Sequence, residues 1–350
     1  MQLSPAFDAA LRKIFTEVKI DEPLALHTTL GVGGPSARLV TAMTIAQLQE
    51  GVRLAHDFKI PVFVLGWGSN LIVSDHGFAG LVIKNRAQNW HILDEASLVK
   101  SSPTTPARLK PTGEGYYKID DLMYSEEDSP AVIVQVESGA KIDPLMKALF
   151  KRGVTGLQWF AGIPATVGGA VYMNMHGGYH FFGDFVLRAL LFDAKMNSSK
   201  IVDQAYFEFD YDHSILQKTK ETLLWVRLRL FRGETERAQA TAREWARRKA
   251  LQPQRSAGCI FRNLSAEEQK RLNLPTPSIG YLVEHVLKLK GIRRGDAIIS
   301  PRHAAFIENL GKARPQDIKE LINLVAEKAR TELGIELQEE VEYLGEFLKK

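Results

Sequence analysis

Residues Leu65 to Ser74 read LGWGSNLIVS, and this stretch constrains the fold more than any other. The preceding segment, Ile60 to Leu65, is apolar and β-rich, so it is predicted to be a buried strand. Gly66 and Gly68 then make a tight turn that Ser69 and Asn70 complete, and Leu71, Ile72 and Val73 return at once to strand character. Glycine tolerates positive φ and lets another group approach the backbone closely. Successive main-chain N–H groups in such a turn form a concave nest for an anion. No charged side chain lies between Lys59 and Asp75, so a phosphate here would be held by backbone dipoles. That suits the diphosphate of a cofactor better than a loose anion. A dinucleotide fingerprint must open a helix and a Walker A loop needs G-K-[ST]. This turn opens a strand and has no lysine. Taken alone, a G-x-G turn between two strands is most often a plain hairpin.

A second uncharged loop changes that balance. Gly156 to His180 reads GLQWFAGIPATVGGAVYMNMHGGYH, with Gly162, Pro164, Gly168, Gly169, Gly177 and Gly178 interrupting an apolar run. A short helix over 170–174 would point its N-terminus at the Gly168–Gly169 turn, where unpaired N–H groups suit a phosphate. A glycine-rich core crossover is the plainer alternative. Two neutral glycine loops in one chain favour a single large, partly apolar cofactor between them.

The chain has 350 residues, enough for two or three domains with a sizeable core. It is 45% hydrophobic and 25% charged, the ordinary composition of a soluble globular protein. The net charge of +4 is small and the basic residues are scattered. The densest run, Arg243 to Lys249 (REWARRK), reads as a solvated helix face rather than a nucleic-acid patch. The single cysteine, Cys259, rules out an intrachain disulfide framework or a cysteine zinc site. His176, His180 and His213 follow no metal-ligand spacing, so no metal is expected. The N-terminus lacks a long apolar core, and no stretch approaches the about 20 apolar residues of a membrane span. A cytoplasmic enzyme is expected, with no nucleic-acid or membrane partner and no evident obligate protein partner.

Thr44 and Gln47 cap a predicted helix carrying Ile45, Leu48, Val52 and Ala55, and the strand leading into the first turn follows. Together with a strand at Leu81 to Ile83 this makes a small α/β unit over roughly 24–84. Residues 95–130 are polar and proline-punctuated and read as an insertion, with at most a hairpin near Tyr116 to Tyr124. Strands are predicted at 131–136, 187–193 and 223–230, and helices at 142–151 and 234–251. Pro315 fits a helix N1 position and Gly334 the C′ position of the same helix, whose buried face is Ile318, Leu321, Ile322, Val325, Ala329 and Leu333. A final alternating strand is predicted from Ile335 to Leu344.

A series of ordered motifs resembles the UDP-N-acetylenolpyruvoylglucosamine reductase family, over about residues 24–345 with 95–130 outside the match. LHTTLGVGG (26–34) is similar to N-T-x-G-x-G-G, and LGWGSNLIVSD to L-G-x-G-S-N-x-L-V-x-D. GLQWFAGIPATVGGAVYMN is similar to G-L-E-x-x-x-G-I-P-G-x-V-G-G-A-x-x-M-N, and SAGCIFRN (256–263) to S-A-G-[S/C]-x-F-K-N. HAAFIEN and IELQEEVEYLG resemble the closing motifs. The resemblance implies an α+β fold: an FAD-binding domain of two α/β subdomains followed by a smaller α+β substrate domain. The expected divisions are 1–84, then 85–245 with the insertion 95–130 and the final strand 336–350, and 246–335 for the substrate domain.

The resemblance also implies the chemistry. NADPH would reduce FAD, and the flavin would pass a hydride to the enolpyruvyl double bond of a UDP-sugar, giving UDP-N-acetylmuramate for peptidoglycan. Gly66, Trp67, Gly68, Ser69, Asn70, Leu71, Pro164, Thr166, Gly168, Gly169 and Asn174 would lie against FAD, and Arg248 is a candidate flavin or diphosphate contact. Hydride addition at C3 leaves carbanion or enolate character at C2, which needs a proton. The family's donor falls on Cys259, whose thiol is far more acidic than a serine hydroxyl. Glu340 matches a carboxylate acting on substrate or donor, and Tyr211, Arg262 and Asn263 match substrate contacts.

One departure stands out. Tyr211-Asp212-His213-Ser214 occupies the place of Tyr-Arg-x-Ser, whose arginine neutralises the developing enolate. An anion there opposes the charge that forms. Either another cation serves (Arg262, Arg302 or protonated His213), or the alignment slips locally, or the chain binds FAD and a UDP-sugar with weakened or altered catalysis. Ala165 in place of the second glycine of G-I-P-G, and Met175-His176 in place of a small pair, are lesser departures.

Overall fold

The computed structural model describes residues 3–93, 122–126 and 128–347. Most of the insertion, including all of the expected hairpin before Leu122, lies outside the described residues. Its end does not behave as an insertion. Leu122, Met123 and Tyr124 pack on the largest apolar cluster, and Glu126 is buried. Among the described residues no helix is long and apolar enough to cross a membrane.

The first layer is a four-stranded sheet in the order Val18–Pro23, Pro35–Ala42, Phe78–Asn85, Val62–Leu65. The last three are mutually parallel, and the first is antiparallel to its neighbour. Helices Pro5–Ile14 and Ile45–Asp57 cover it. Ser4 caps the first helix by accepting from Phe7 N, and Thr44 caps the second by accepting from Gln47 N. Leu48, Val52 and Ala55 face inward, as the spacing predicts. Arg38 in the sheet is nearly buried and grips Asp8 of the first helix with two bonds, Nε–Oδ1 at 2.6 Å and Nη2–Oδ2 at 2.7 Å.

The turn after Val62–Leu65 is not a hairpin. Leu71–Val73 leaves the sheet and pairs in parallel with Glu342–Leu344. The terminal strand is therefore shorter than the predicted 335–344, and it joins the first glycine turn rather than the second subdomain to which the sequence reading assigned it. Residues 338–340 run instead beside 260–262, where Arg262 N donates to Gln338 O and Glu340 N donates to Ile260 O. Glu340 is thereby turned toward the molecule's interior rather than onto a solvated strand face.

A second, antiparallel sheet has the order Ser198–Asp203, Val186–Asp193, Thr222–Phe231, Ala131–Glu137, Trp90–Leu93. Its core includes Trp159, Phe160, Phe182 and the buried faces of helices Ile142–Phe150 and Thr235–Ala250. A third cluster packs helix Pro315–Leu333 on the small sheet Arg293–Arg294, Ala297–Ile299, Ile307–Asn309. Gly334 ends that helix in the left-handed conformation, φ 62°. Leu333 is only half-buried at the edge of this cluster.

Candidate active site

The two glycine loops face each other. Ser69 Oγ donates to Pro164 O at 2.6 Å, and a Cβ on Gly66 would sit 2.6 Å from Thr166 Oγ1. Gly68 has φ +77°, and a Cβ there would lie 2.2 Å from His27 O. The amides of Gly66, Trp67, Gly68, Ser69 and Asn70 donate to no acceptor among the described residues, so the anion nest read from the sequence is open. Leu71 is buried and begins the strand beyond.

The second loop differs from the expectation. Its helix is Val167–Tyr172, starting three residues before the predicted one, so Gly168 and Gly169 lie inside its first turn. Their amides are not unpaired. Val167 N donates to Ala140 O, Gly168 N to Ser138 O and Gly169 N to Thr166 Oγ1. This loop supplies shape and closeness rather than amide donors. The side chain of Asn174 is likewise committed, with Nδ2 donating to Asp210 O and Oδ1 accepting from Gly183 N. Arg248 Nε pairs with Glu244 at 2.7 Å on its own helix.

The neutral first turn has charged neighbours that its own sequence does not announce. Thr28, Thr29, Trp67, Lys84, Arg86 and Lys141 line a cleft of about 210 Å³. Arg86 Nη1 donates to Gly66 O at 3.3 Å, and Lys141 Nζ lies 4.7 Å over the Trp67 ring. Lys84 meets His27 Nδ1 at 2.9 Å, and burial, with Arg86 and Lys141 nearby, pushes its ammonium pKa down. Lys84 and Arg86 project two residues apart at the end of strand Phe78–Asn85, and that period was the available signal. Open amides, a turn that only glycine fits, and flanking cations suit the diphosphate of FAD.

A second constellation gathers around Cys259. Burial, followed by the nearby Glu340 carboxyl, pushes the Cys259 thiol up to about 12. Burial and Asp212 raise Glu340 well above the ordinary carboxylate range. Tyr211 is pushed higher still by burial and by the same carboxyl groups, so its phenol stays neutral. Arg262 lies over the Tyr211 ring at 5.8 Å, and its Nε is 3.9 Å from Asp212 Oδ2. Cys259, Glu340, Asp212, Tyr211 and Arg262 thus come together. Asn263 stands at the edge, exposed, with Oδ1 accepting from Ile279 N. Of the three cations weighed for the missing arginine, Arg262 reaches Asp212. Arg302 is tied to Glu308 at 2.6 Å, and His213 bonds Gln217.

Two residues here escaped the sequence reading. Lys249, at the end of the supposedly solvated REWARRK face, is half-buried, and its ammonium pKa is lowered by desolvation against the pull of Cys259 and Glu340. His176 places Nδ1 3.5 Å from Asp212 Oδ1 and stacks on Tyr211 at 5.3 Å. The two constellations are joined through Asn70, whose Nδ2 donates to Glu340 O at 3.0 Å.

The chain is similar to known proteins of one family. Residues 251–344 match the family described as UDP-N-acetylenolpyruvoylglucosamine reductase, C-terminal domain, and residues 120–195 match an FAD binding domain. The chain is 31% identical over 333 residues to UDP-N-acetylenolpyruvoylglucosamine reductase of Syntrophus aciditrophicus, covering 94% of this chain and 92% of that one. A relative of the same name from Bacillus anthracis is 31% identical, with 94% and 95% covered. The crystal structure of UDP-N-acetylenolpyruvylglucosamine reductase from Thermus caldophilus superposes with a TM-score of 0.66 at 29% identity, over 94% of this chain and 98% of that one. The chain belongs to the UDP-N-acetylenolpyruvoylglucosamine reductase family.

Proposed function

We propose that this chain is the FAD-dependent reductase that uses NADPH to convert UDP-GlcNAc-enolpyruvate to UDP-N-acetylmuramate in the cytoplasm. Bound FAD would take a hydride from NADPH and deliver it to C3 of the enolpyruvyl group. The amides of residues 66–70 hold the diphosphate, with Arg86, Lys84 and Lys141 countering its charge. Gly66 and Gly68 leave room for it, and Pro164 and Thr166 close the opposite side.

The remaining chemistry belongs to side chains. Cys259 keeps its proton at neutral pH and donates it to C2. Glu340 stays a neutral acid beside it, able to hydrogen-bond the substrate carboxylate and to return a proton to the thiolate. Lys249 places positive charge beside both. The observation that carries the reading is the hydrogen-bonded path from the first turn to the donor: Asn70 holds Glu340 O, and Glu340 N holds Ile260 O next to Cys259.

An anaerobic titration tests it. NADPH should bleach the flavin band, and UDP-GlcNAc-enolpyruvate should restore it with formation of UDP-N-acetylmuramate. Bleaching without recovery would contradict the assigned substrate.

A further inference from the structure

The structure holds a buried carboxylate that the proposed reaction does not use. Asp212 is 3% exposed and has φ 50°. Gln217 Nε2 donates to its main-chain O at 2.9 Å and Arg262 Nη2 to the same atom at 3.4 Å, so its position is fixed. Its carboxylate is not fully engaged. Oδ2 and Arg262 Nε are both buried without a hydrogen-bond partner among the described residues, and they stand 3.9 Å apart. Oδ1 is 3.5 Å from His176 Nδ1. Resting on the reductase reading above, we propose that His176 is a substrate-facing residue of this site: its imidazole, held beside Asp212 and against the Tyr211 ring, donates a ring N–H to the carboxylate of the enolpyruvyl group.

A buried carboxylate needs compensating positive charge. Arg262 supplies it to Asp212. The other groups facing His176 put no negative charge against an incoming carboxylate. Tyr211, Cys259 and Glu340 are all held neutral. Lys249 is drawn to Cys259 and Glu340 on the donor side. The ring of His176 lies nearly flat on Tyr211, 30° between planes, and is 6.1 Å from Phe181. Its orientation is therefore set by packing as well as by Asp212, and 36% of its side chain is solvent-exposed.

The consequence for the reaction is electrostatic. Hydride addition at C3 would move the C2–C3 π pair onto C2 and the adjacent carboxylate. Cys259 then loses its proton as the C2–H bond forms. A hydrogen-bond donor at the carboxylate stabilises the charge that accumulates between these two events. His176 thus supplies, from the facing loop, a contact that Asp212 cannot make.

The test compares two ligands on the oxidised holoenzyme, followed by perturbation of the flavin spectrum. UDP-N-acetylmuramate carries the carboxylate, and UDP-N-acetylglucosamine lacks it. His176→Ala and His176→Gln should each weaken the first roughly 10- to 100-fold, the size of one charge-assisted hydrogen bond, and leave the second unchanged. Equal loss for both ligands, or full affinity for the first in His176→Ala, would overturn the proposal. A holoenzyme that retains FAD but binds neither UDP-sugar would overturn the reductase reading itself.

Discussion

Cys259 and Glu340 keep their protons because each is withdrawn from water and close to the other. A thiol held near 12 is a poor nucleophile but a dependable proton store. Cys259→Ala should leave flavin reduction by NADPH intact and slow flavin reoxidation by substrate by about 10²- to 10⁴-fold, the usual worth of a positioned acid. Stopped-flow traces of the two half-reactions separate these steps. Glu340 makes a pH-dependent contribution with a definite sign. Its neutral form persists above the ordinary carboxylate range and is lost as pH climbs through the raised value, so substrate reduction should decline on the alkaline side. Glu340→Gln should remove that limb from the profile of kcat/KM. Both residues were legible in the sequence through the motifs around them. Lys249 and His176 were not, because a basic helix face and a histidine in a glycine loop declare nothing until the fold sets a carboxyl group beside them. Asn174 is the opposite case: its motif position is clear in the sequence, while the bonds of its amide to the Asp210 and Gly183 backbone emerge only in the fold.

Elements with local signals were the readable ones. Thr44 with Gln47, and Pro315 with Gly334, mark helix ends by bonds spanning a few residues, and the structure has those helices. The parallel pairing of Leu71–Val73 with Glu342–Leu344 joins segments far apart in the chain, and no local pattern encodes it. The first turn is strict about its residues. Gly68→Ala would combine a positive φ with a contact 2.2 Å from His27 O. It should abolish FAD retention, read as the flavin-to-protein absorbance ratio. The helix Pro5–Ile14 depends on a charge pair instead. Asp8→Asn leaves Arg38 buried without its partner and should cost about 3–5 kcal/mol, measured as a lower denaturation midpoint at unchanged slope. The Asp8 carboxyl is held below its ordinary pKa by Arg38. The pair's contribution is therefore present at neutral pH and lost as pH falls through that lowered value. Wild type and variant should converge in acid.

At the scale of the whole molecule, the apolar clusters knit one layer to the next. Ile72, beyond the first turn, belongs to the same cluster as Ile260 and Val341, which flank Cys259 and Glu340. Phe192, Leu224 and Trp225 of the second sheet pack against the first. A cofactor gripped between these layers should stabilise them together, by about 2.7 kcal/mol at a hundredfold excess over its dissociation constant. The neutrality of both glycine loops was legible in the sequence and pointed to a cofactor between them. The cations that flank it were not, because Lys84, Arg86 and Lys141 come from other strands and loops and converge only in three dimensions. The central claim is that main-chain amides of residues 66–70 and these cations hold one FAD per chain. The absorption spectrum of the purified protein, before and after incubation with FAD, tests it directly. The expected result is a flavin band at one equivalent per chain, lost in Gly68→Ala. A colourless protein that takes up no FAD would contradict it.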